Sequence, residues 1–260
     1  MESETAQQAA QRLFREHRER VLFRPLPPDR HGDLDYAYAV QTMLLEAMLD
    51  QSKDKICGWK IGLTTKRMQQ FCGVDTPIVG AILSSLLKTS PAVVPHGHYV
   101  RLGIEMEVAV QLGSELPDRA TGTDVRACLA QVAAAFELVE DRAADYAQLD
   151  ACSIISDNSW NAGIVVGEPV AAGALGDLLG RSGVLKRDGE EIGRGLTEDA
   201  GGDPLDVVAW LASLLQSQGR PLQAGHWVLT GSIIPTIFPG PGGHYQFSVD
   251  GLPPVELRVE

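Results

Sequence analysis

Leu102-Gly-Ile-Glu105-Met-Glu107-Val-Ala-Val-Gln-Leu112 sets two carboxylates two positions apart in an otherwise apolar run. Read as a strand, alternate residues share a face, so Glu105 and Glu107 point one way while Ile104, Met106 and Val108 point the other. A third carboxylate, Glu137, has a similar setting in Ala133-Ala-Ala-Phe-Glu137-Leu-Val139. Ionised carboxylates on a buried face are costly unless something positive meets them. Two or three that converge suit a hard divalent cation, and oxygen donors favour Mg²⁺ or Mn²⁺. The alternative is a half-exposed strand carrying two ordinary surface glutamates, since alternation is what such strands show anyway.

The rest of the chain bounds these readings. At 260 residues it can bury one large core or two modest ones. The net charge of −12 argues against a nucleic-acid footprint, which needs a basic patch. No apolar stretch has membrane-spanning length. The polar, acidic N-terminus is unlike a secretory signal. Cys57, Cys72, Cys128 and Cys152 form no CxxC pair and read as reduced thiols of a cytoplasmic protein.

The first 54 residues read as a helical region packed on the core, and 55–260 as one β-rich unit. A helix is expected from about Thr5 to Val21, with Leu13, Phe14 and Val21 inward. Three prolines in Arg24-Pro-Leu-Pro-Pro28 end it. Asp33 looks like the cap of a second helix running to about Leu49, with Tyr38, Met43, Leu45 and Met48 on its apolar face. Beyond Lys55, short apolar runs alternate with Gly and Pro: Cys57–Leu63, Val94–Arg101, Ile104–Leu112 and Ile164–Gly167. Asp188-Gly189 reads as a hairpin turn, and a further strand pair flanks Asp250-Gly251. Two more helices are expected, Asp124 to about Ala135 and Pro204 to about Gln218, the latter capped by Asp203 and stopped at Gly219. Strands do not alternate regularly with helices, so the class is α+β, with a mixed, strongly curved sheet and peripheral helices.

Several other residues can carry chemistry. Lys60, in Gly58-Trp-Lys-Ile-Gly-Leu-Thr64, can hold a substrate carboxylate or move a proton if its strand draws it into a pocket. It can equally snorkel from a strand edge. Ser156-Asp-Asn-Ser-Trp-Asn-Ala-Gly163 is a dense polar cluster in which Asp157 and Asn158 either support a site or handle protons, or else bond their own loop. Through its glycine and hydroxyls, Leu229-Thr-Gly-Ser-Ile-Ile-Pro-Thr236 can bring backbone N–H groups to an anionic ligand or simply leave a strand. It is no phosphate loop. His96 and His98 read as surface residues. No Gly-x-Ser-x-Gly elbow or Cys/His nucleophile pair is present.

In their order and spacing, these motifs resemble the 2-keto-4-pentenoate hydratase / 2-oxo-3-hexenedioate decarboxylase family of the fumarylacetoacetate hydrolase superfamily. The resemblance runs through Tyr38-Ala-Val-Gln41, Gly58-Trp-Lys-Ile-Gly-Leu-Thr64, Gly73-Val-Asp-Thr-Pro77, Ile104-Glu-Met-Glu-Val108 and Phe136-Glu-Leu-Val-Glu-Asp-Arg142. It continues through Ser156-Asp-Asn158, Gly202-Asp-Pro-Leu205, Ala209-Trp-Leu211 and Leu229-Thr-Gly-Ser232. It implies a mixed β-roll, peripheral helices and a Mg²⁺ or Mn²⁺ site made by Glu105, Glu107 and Glu137. Lys60 and Asp157 would be catalytic. Thr230, Ser232, Asn158, Trp160 and Ile78 would border a small 2-oxo acid substrate derived from aromatic-ring cleavage. A homo-oligomer is implied as well.

The resemblance covers two reactions, hydration of a 2-hydroxy-2,4-dienoate and decarboxylation of a 2-oxo-3-enedioate, and one site can serve both. Hydratases of the family usually carry an aspartate where this chain has Ile78, which looks more like the decarboxylase branch. Asn161-Ala-Gly163 and the single glycine of Thr230-Gly-Ser232 lean toward hydratases, and the expectation here is a hydratase. Ser159-Trp160 fits neither branch well. Acylpyruvate C–C hydrolysis would need a His/Glu pair, for which His17 and His31 are the candidates. A non-catalytic member is the remaining alternative, against which stand the retained carboxylates and Lys60.

Overall fold

The computed structural model describes residues 4–260. Thr5 caps α1 (Ala6–Glu19) through a reciprocal exchange with Gln8, and Arg20 ends it in the left-handed region. Asp33 caps α2 (Leu34–Ser52). There follow β1 (Ile56–Gly62), α3 (Lys66–Phe71), β2 (Ile78–Leu83), β3 (Leu87–Thr89), β4 (Ala92–Val94), β5 (Leu102–Leu112) and α4 (Gly122–Cys128). Next come β6 (Leu129–Glu140), α5 (Ala151–Ser156), β7 (Asn161–Val166), β8 (Val170–Ala171), β9 (Ser182–Arg187) and β10 (Glu190–Leu196). The chain closes with α6 (Pro204–Ser217), β11 (Trp227–Ile237), β12 (His244–Val249) and β13 (Val255–Val259).

The larger sheet runs β2-β1-β11-β5-β6-β7-β3, with β8 added beside β6. It is mixed: β1–β11 and β3–β7 are parallel and the other pairs antiparallel. The second sheet runs β10-β9-β12-β13-β4. Between the sheets lies the main core. Ile104, Met106, Val108 and Val110 of β5 and Val132, Ala134, Phe136 and Leu138 of β6 meet Leu185, Phe247, Val255 and Leu257 there. The opposite face of β5 and β6 carries the carboxylates together with Ala109, Ala133 and Ala135. Across it, α1, α2 and α5 build a separate apolar cluster that reaches Ile78, Val139 and Trp160. Buried Gln41 pins α2 to this layer by donating to Val79 O and Ile155 O. The architecture is the α+β curled mixed sheet with peripheral helices that the sequence implies.

Four local expectations are corrected. The helix expected over Asp124–Ala135 stops at Cys128, and Leu129–Glu140 is a strand. The alanines favour helix locally, but pairing with β5 from Leu102↔Glu140 to Leu112↔Leu129 overrides that preference. The strand expected over Val94–Arg101 ends at Val94, because Pro95 leads into a 3₁₀ turn at His96–His98. Val21 lies outside α1 and is exposed. On α2 the buried face is Ala37, Val40, Gln41, Leu44 and Leu45, with Met43 outward.

Candidate metal centre

β5 is flanked by β11 and β6, so Glu105 and Glu107 stand inside the sheet and not on an exposed edge. Register puts Glu105 directly opposite Glu137, and Glu107 opposite Ser232. Glu107 and Glu137 are completely buried. Each of the three carboxylates offers an oxygen, and these oxygens lie within 4.8 Å of one another.

Neighbouring groups fix each carboxylate. Glu107 Oε2 accepts from Gly231 N at 2.7 Å. Gly231 has a φ of 107°, and a Cβ there would meet Thr64 Oγ1 at 2.8 Å, so glycine is what lets this N–H reach the site. Thr236 Oγ1 donates to Glu105 Oε1. Glu137 Oε1 accepts from Asn161 Nδ2 at 3.0 Å and lies 3.2 Å from Lys60 Nζ. Glu107 Oε1 and Glu137 Oε2 are buried with no hydrogen-bond partner among the described residues. Orphaned carboxylate oxygens in a tight cluster are what an oxygen-loving divalent cation would satisfy, so the residues present fit such an ion.

The electrostatics agree. Burial, then Glu137 and Glu105, push Glu107 well above the usual carboxylate range against the pull of Lys60 and Gly231 N–H. Burial pushes Glu137 up to about 7, against the pull of Lys60. Burial disfavours the Lys60 ammonium, but Glu137, Glu105 and Glu107 outweigh it and raise the lysine. One lysine does not compensate three carboxylates, and a bound cation would invert this balance.

Lys60 is 5 % exposed and reaches the trio from β1, paired with Leu229 of β11 on one side and Gly80 of β2 on the other. Ile78 lies two residues along β2, opposite Gly62. A Cβ on Gly62 would stand 3.3 Å from both Ile78 Cγ1 and Lys60 Nζ, so Ile78 presents an apolar wall beside the ammonium.

The polar cluster after α5 forms an unusual turn. Asn158, Ser159 and Trp160 have φ of 50°, 50° and 58°. Successive left-handed residues without glycine cost roughly 1–2 kcal/mol each, so the surroundings must hold them. Asn158 clamps Ala81 N and O, and Ser159 Oγ donates to Val79 O. A Cβ on Gly80 would strike Asn158 O at 2.5 Å, so this turn needs glycine beneath it. Asp157 Oδ1 meets His17 Nε2 at 2.6 Å, and its Oδ2 accepts from Arg142 Nη2 at 2.8 Å. Burial alone would raise Asp157, but His17 and Arg142 hold it at about 2. Trp160 packs edge-on against Phe23, centroids 5.3 Å apart, and against Tyr146 at 6.1 Å.

The structure thus brings Glu105, Glu107, Glu137, Lys60 and Ile78 together, with Trp160 in the adjoining apolar cluster. It sets others aside. Asn158 is spent on β2, Thr230 Oγ1 donates to Val108 O, and Ser232 Oγ donates to Ile234 O while accepting from Met106 N. Asp157 is occupied by His17 and Arg142. His31 faces Asp150 at 3.3 Å. Sequence reading missed Asn161, Thr236 and Gly231 N–H as supports of the carboxylates. Gly231 lies in the Thr-Gly-Ser motif, which was the available signal. Thr236 closes the same stretch, Leu229-Thr-Gly-Ser-Ile-Ile-Pro-Thr236, whose hydroxyls were part of that signal.

Among the described residues no helix is long and apolar enough to cross a membrane. Residues 66–260 match the family model for the fumarylacetoacetate (FAA) hydrolase C-terminal domain. A 2-keto-4-pentenoate hydratase 1 of Dechloromonas aromatica is 33% identical over 85% of this chain and 84% of its own length. A 2-keto-4-pentenoate hydratase of Burkholderia vietnamiensis is 32% identical over the same shares. Among solved structures, 4-oxalocrotonate decarboxylase from Pseudomonas putida G7, complexed with magnesium and adipate, superposes with a TM-score of 0.90 over 98% of this chain and 97% of its own, at 24% identity. That likeness shows the shared fold. The chain therefore belongs to the 2-keto-4-pentenoate hydratase / 2-oxo-3-hexenedioate decarboxylase family, within the fumarylacetoacetate hydrolase superfamily.

Proposed function

We propose that the protein is a hydro-lyase that converts a 2-hydroxy-2,4-dienoate and water to a 4-hydroxy-2-oxo acid, using Mg²⁺ or Mn²⁺ held by Glu105, Glu107 and Glu137. The observation that carries this is the trio itself: three carboxylates with oxygens within 4.8 Å of one another, beside Lys60, in which Glu107 Oε1 and Glu137 Oε2 are buried and unpartnered among the described residues. Its hydratase relatives supply the reaction. A bound divalent cation would supply Lewis-acid polarisation of the substrate's C2 oxygen. Lys60 stands where its ammonium can hold the substrate carboxylate or hand over a proton. The dienol gives up its C2 hydroxyl proton and gains one at C5, which yields the conjugated 2-oxo-3-enoate. Water then adds at C4 and C3 takes a proton. We further place the enzyme in the cytoplasm as a homo-oligomer, acting in the breakdown of aromatic-ring cleavage products.

Decarboxylation of a 2-oxo-3-enedioate is the second reading, favoured by apolar Ile78 beside Lys60 where hydratases of the family usually carry an acid. Acylpyruvate hydrolysis stands lower, since His17 is bonded to Asp157. Incubation with a 2-hydroxydienoate and with a 2-oxo-enedioate, each with Mg²⁺ and after chelation, separates them. Loss of dienol absorbance without CO₂ supports hydration, and CO₂ release supports decarboxylation. Activity that survives exhaustive metal removal would sink the metal-dependent reading.

A further inference from the structure

The carboxylate face continues past the trio. Along β5, Gly103 follows Glu105 on the same face, and Arg101 comes next, just before the strand. On β6, Val139 follows Glu137, and Asp141 comes just after the strand. Gly103 pairs with Val139, and a Cβ on it would meet Thr236 Cγ2 at 3.2 Å and Phe238 Cε1 at 3.3 Å, so those side chains cover this level. At the next level Arg101 makes a two-pronged contact with Asp141, with Nε to Oδ1 at 2.7 Å and Nη2 to Oδ2, and the Tyr146 hydroxyl donates to Asp141 at 2.9 Å. The guanidinium stacks on both Phe238, at 4.9 Å, and Tyr146, at 5.4 Å. Tyr146 in turn packs on Trp160, whose cluster includes Ile78 and Val139. The Trp160 indole N–H is buried and bonds nothing among the described residues, so what this strained residue supplies is ring surface.

We propose that Trp160, Tyr146, Val139 and Phe238, backed by the Arg101–Asp141 pair, form the subsite for the distal end of the substrate, and that it selects a neutral apolar tail over a second carboxylate. The inference rests on the proposed function, which puts the 2-oxo acid end of the substrate at Glu105, Glu107, Glu137 and Lys60. Charge is the deciding term. Asp141 is completely buried and already neutralises Arg101, as the trio already opposes Lys60. A second carboxylate arriving here would stand beside Asp141, and the guanidinium at this level, Arg101, is already committed to that carboxylate. Burial first, then Asp141, push the Tyr146 phenol upward, with Arg101 pulling the other way and Glu105 adding a smaller push. The rings offer flat apolar surface instead, and Tyr146 and Phe238 are exposed.

The test is binding of saturated 2-oxo acids to the full-length protein loaded with Mg²⁺, read by calorimetry: pyruvate, 2-oxobutanoate, 2-oxohexanoate and 2-oxoadipate. Affinity is expected to rise from pyruvate to 2-oxohexanoate by up to about fourfold per methylene, the yield of about 0.8 kcal/mol for a fully buried CH₂. The dicarboxylate 2-oxoadipate is expected to bind at least ~10-fold more weakly than 2-oxohexanoate. Trp160→Ala is expected to flatten the chain-length series, with 2-oxohexanoate losing more affinity than pyruvate. Phe238→Ala, at an exposed position, is expected to do the same in part and serves if Trp160→Ala does not fold. Equal or tighter binding of 2-oxoadipate, or an unchanged series in the variants, overturns the subsite while metal-dependent pyruvate binding still stands. Failure of pyruvate itself to bind in a metal-dependent way overturns the proposed function and the subsite with it.

Discussion

Asp157→Asn isolates the ion pairs that hold the strained turn beside the site. Asp157 is completely buried, bonded by His17 on one oxygen and by Arg142 on the other. Burial opposes its charge, yet His17 and Arg142 hold it at about 2 against the ordinary 3.8. Because the folded value lies below the unfolded one, the charged carboxylate stabilises the fold fully above about pH 4, and that stability disappears as pH falls through about 2. The difference is worth roughly 2 kcal/mol at neutral pH, and about half of it remains at pH 3. The asparagine keeps the shape and loses the charge. At neutral pH its cost is larger, about 3–5 kcal/mol, because buried Arg142 keeps only the longer 3.5 Å contact with Glu16 as a counter-charge. The assay is urea unfolding of both proteins at steps between pH 7 and pH 3. The stability gap should narrow by roughly 1 kcal/mol across that range. A gap that stays constant, or widens toward acid, refutes the assignment of this linkage to Asp157.

Three further outcomes follow from the site. Glu107→Gln should weaken Mn²⁺ binding at least ~10-fold, yet leave the metal-free protein as stable as before or more so, since it replaces a group whose ionisation burial, Glu137 and Glu105 disfavour with a neutral one. A lowered metal-free melting temperature would contradict this. Asn161→Ala takes away the 3.0 Å donor to Glu137 and should cost about 10–100-fold in metal affinity, measured by titration calorimetry. Gly231→Ala combines a φ of 107° with a Cβ placed 2.8 Å from Thr64 Oγ1, and should cost about 1–3 kcal/mol in urea unfolding while displacing the N–H from Glu107. An unchanged unfolding midpoint would count against that reading.

The helix caps Asp33 and Asp203, the Asp188-Gly189 turn and the alternating faces of Leu102–Leu112 were legible because each depends on near neighbours in the chain. Ala133–Ala135 misled for the same reason: alanine's local preference is helical, and only the partner strand decides otherwise. The trio was legible as a pattern, and spacing alone left an exposed edge open as the alternative. The order of motifs along the chain brought the family into view, with the hydratase and decarboxylase readings side by side.

What the sequence determined by itself is the chemistry available: three carboxylates in apolar strands, a lysine in another, and a polar turn ending in tryptophan. Tertiary structure decided their use. Placing β5 between β6 and β11 buried Glu107 and Glu137 and set Glu105 opposite Glu137. The same folding committed Asp157 to His17, 140 residues away, and Arg101 to Asp141, 40 residues away. A charge's role depends on which opposite charge reaches it and how much water is excluded, and both are set by contacts between segments remote in sequence.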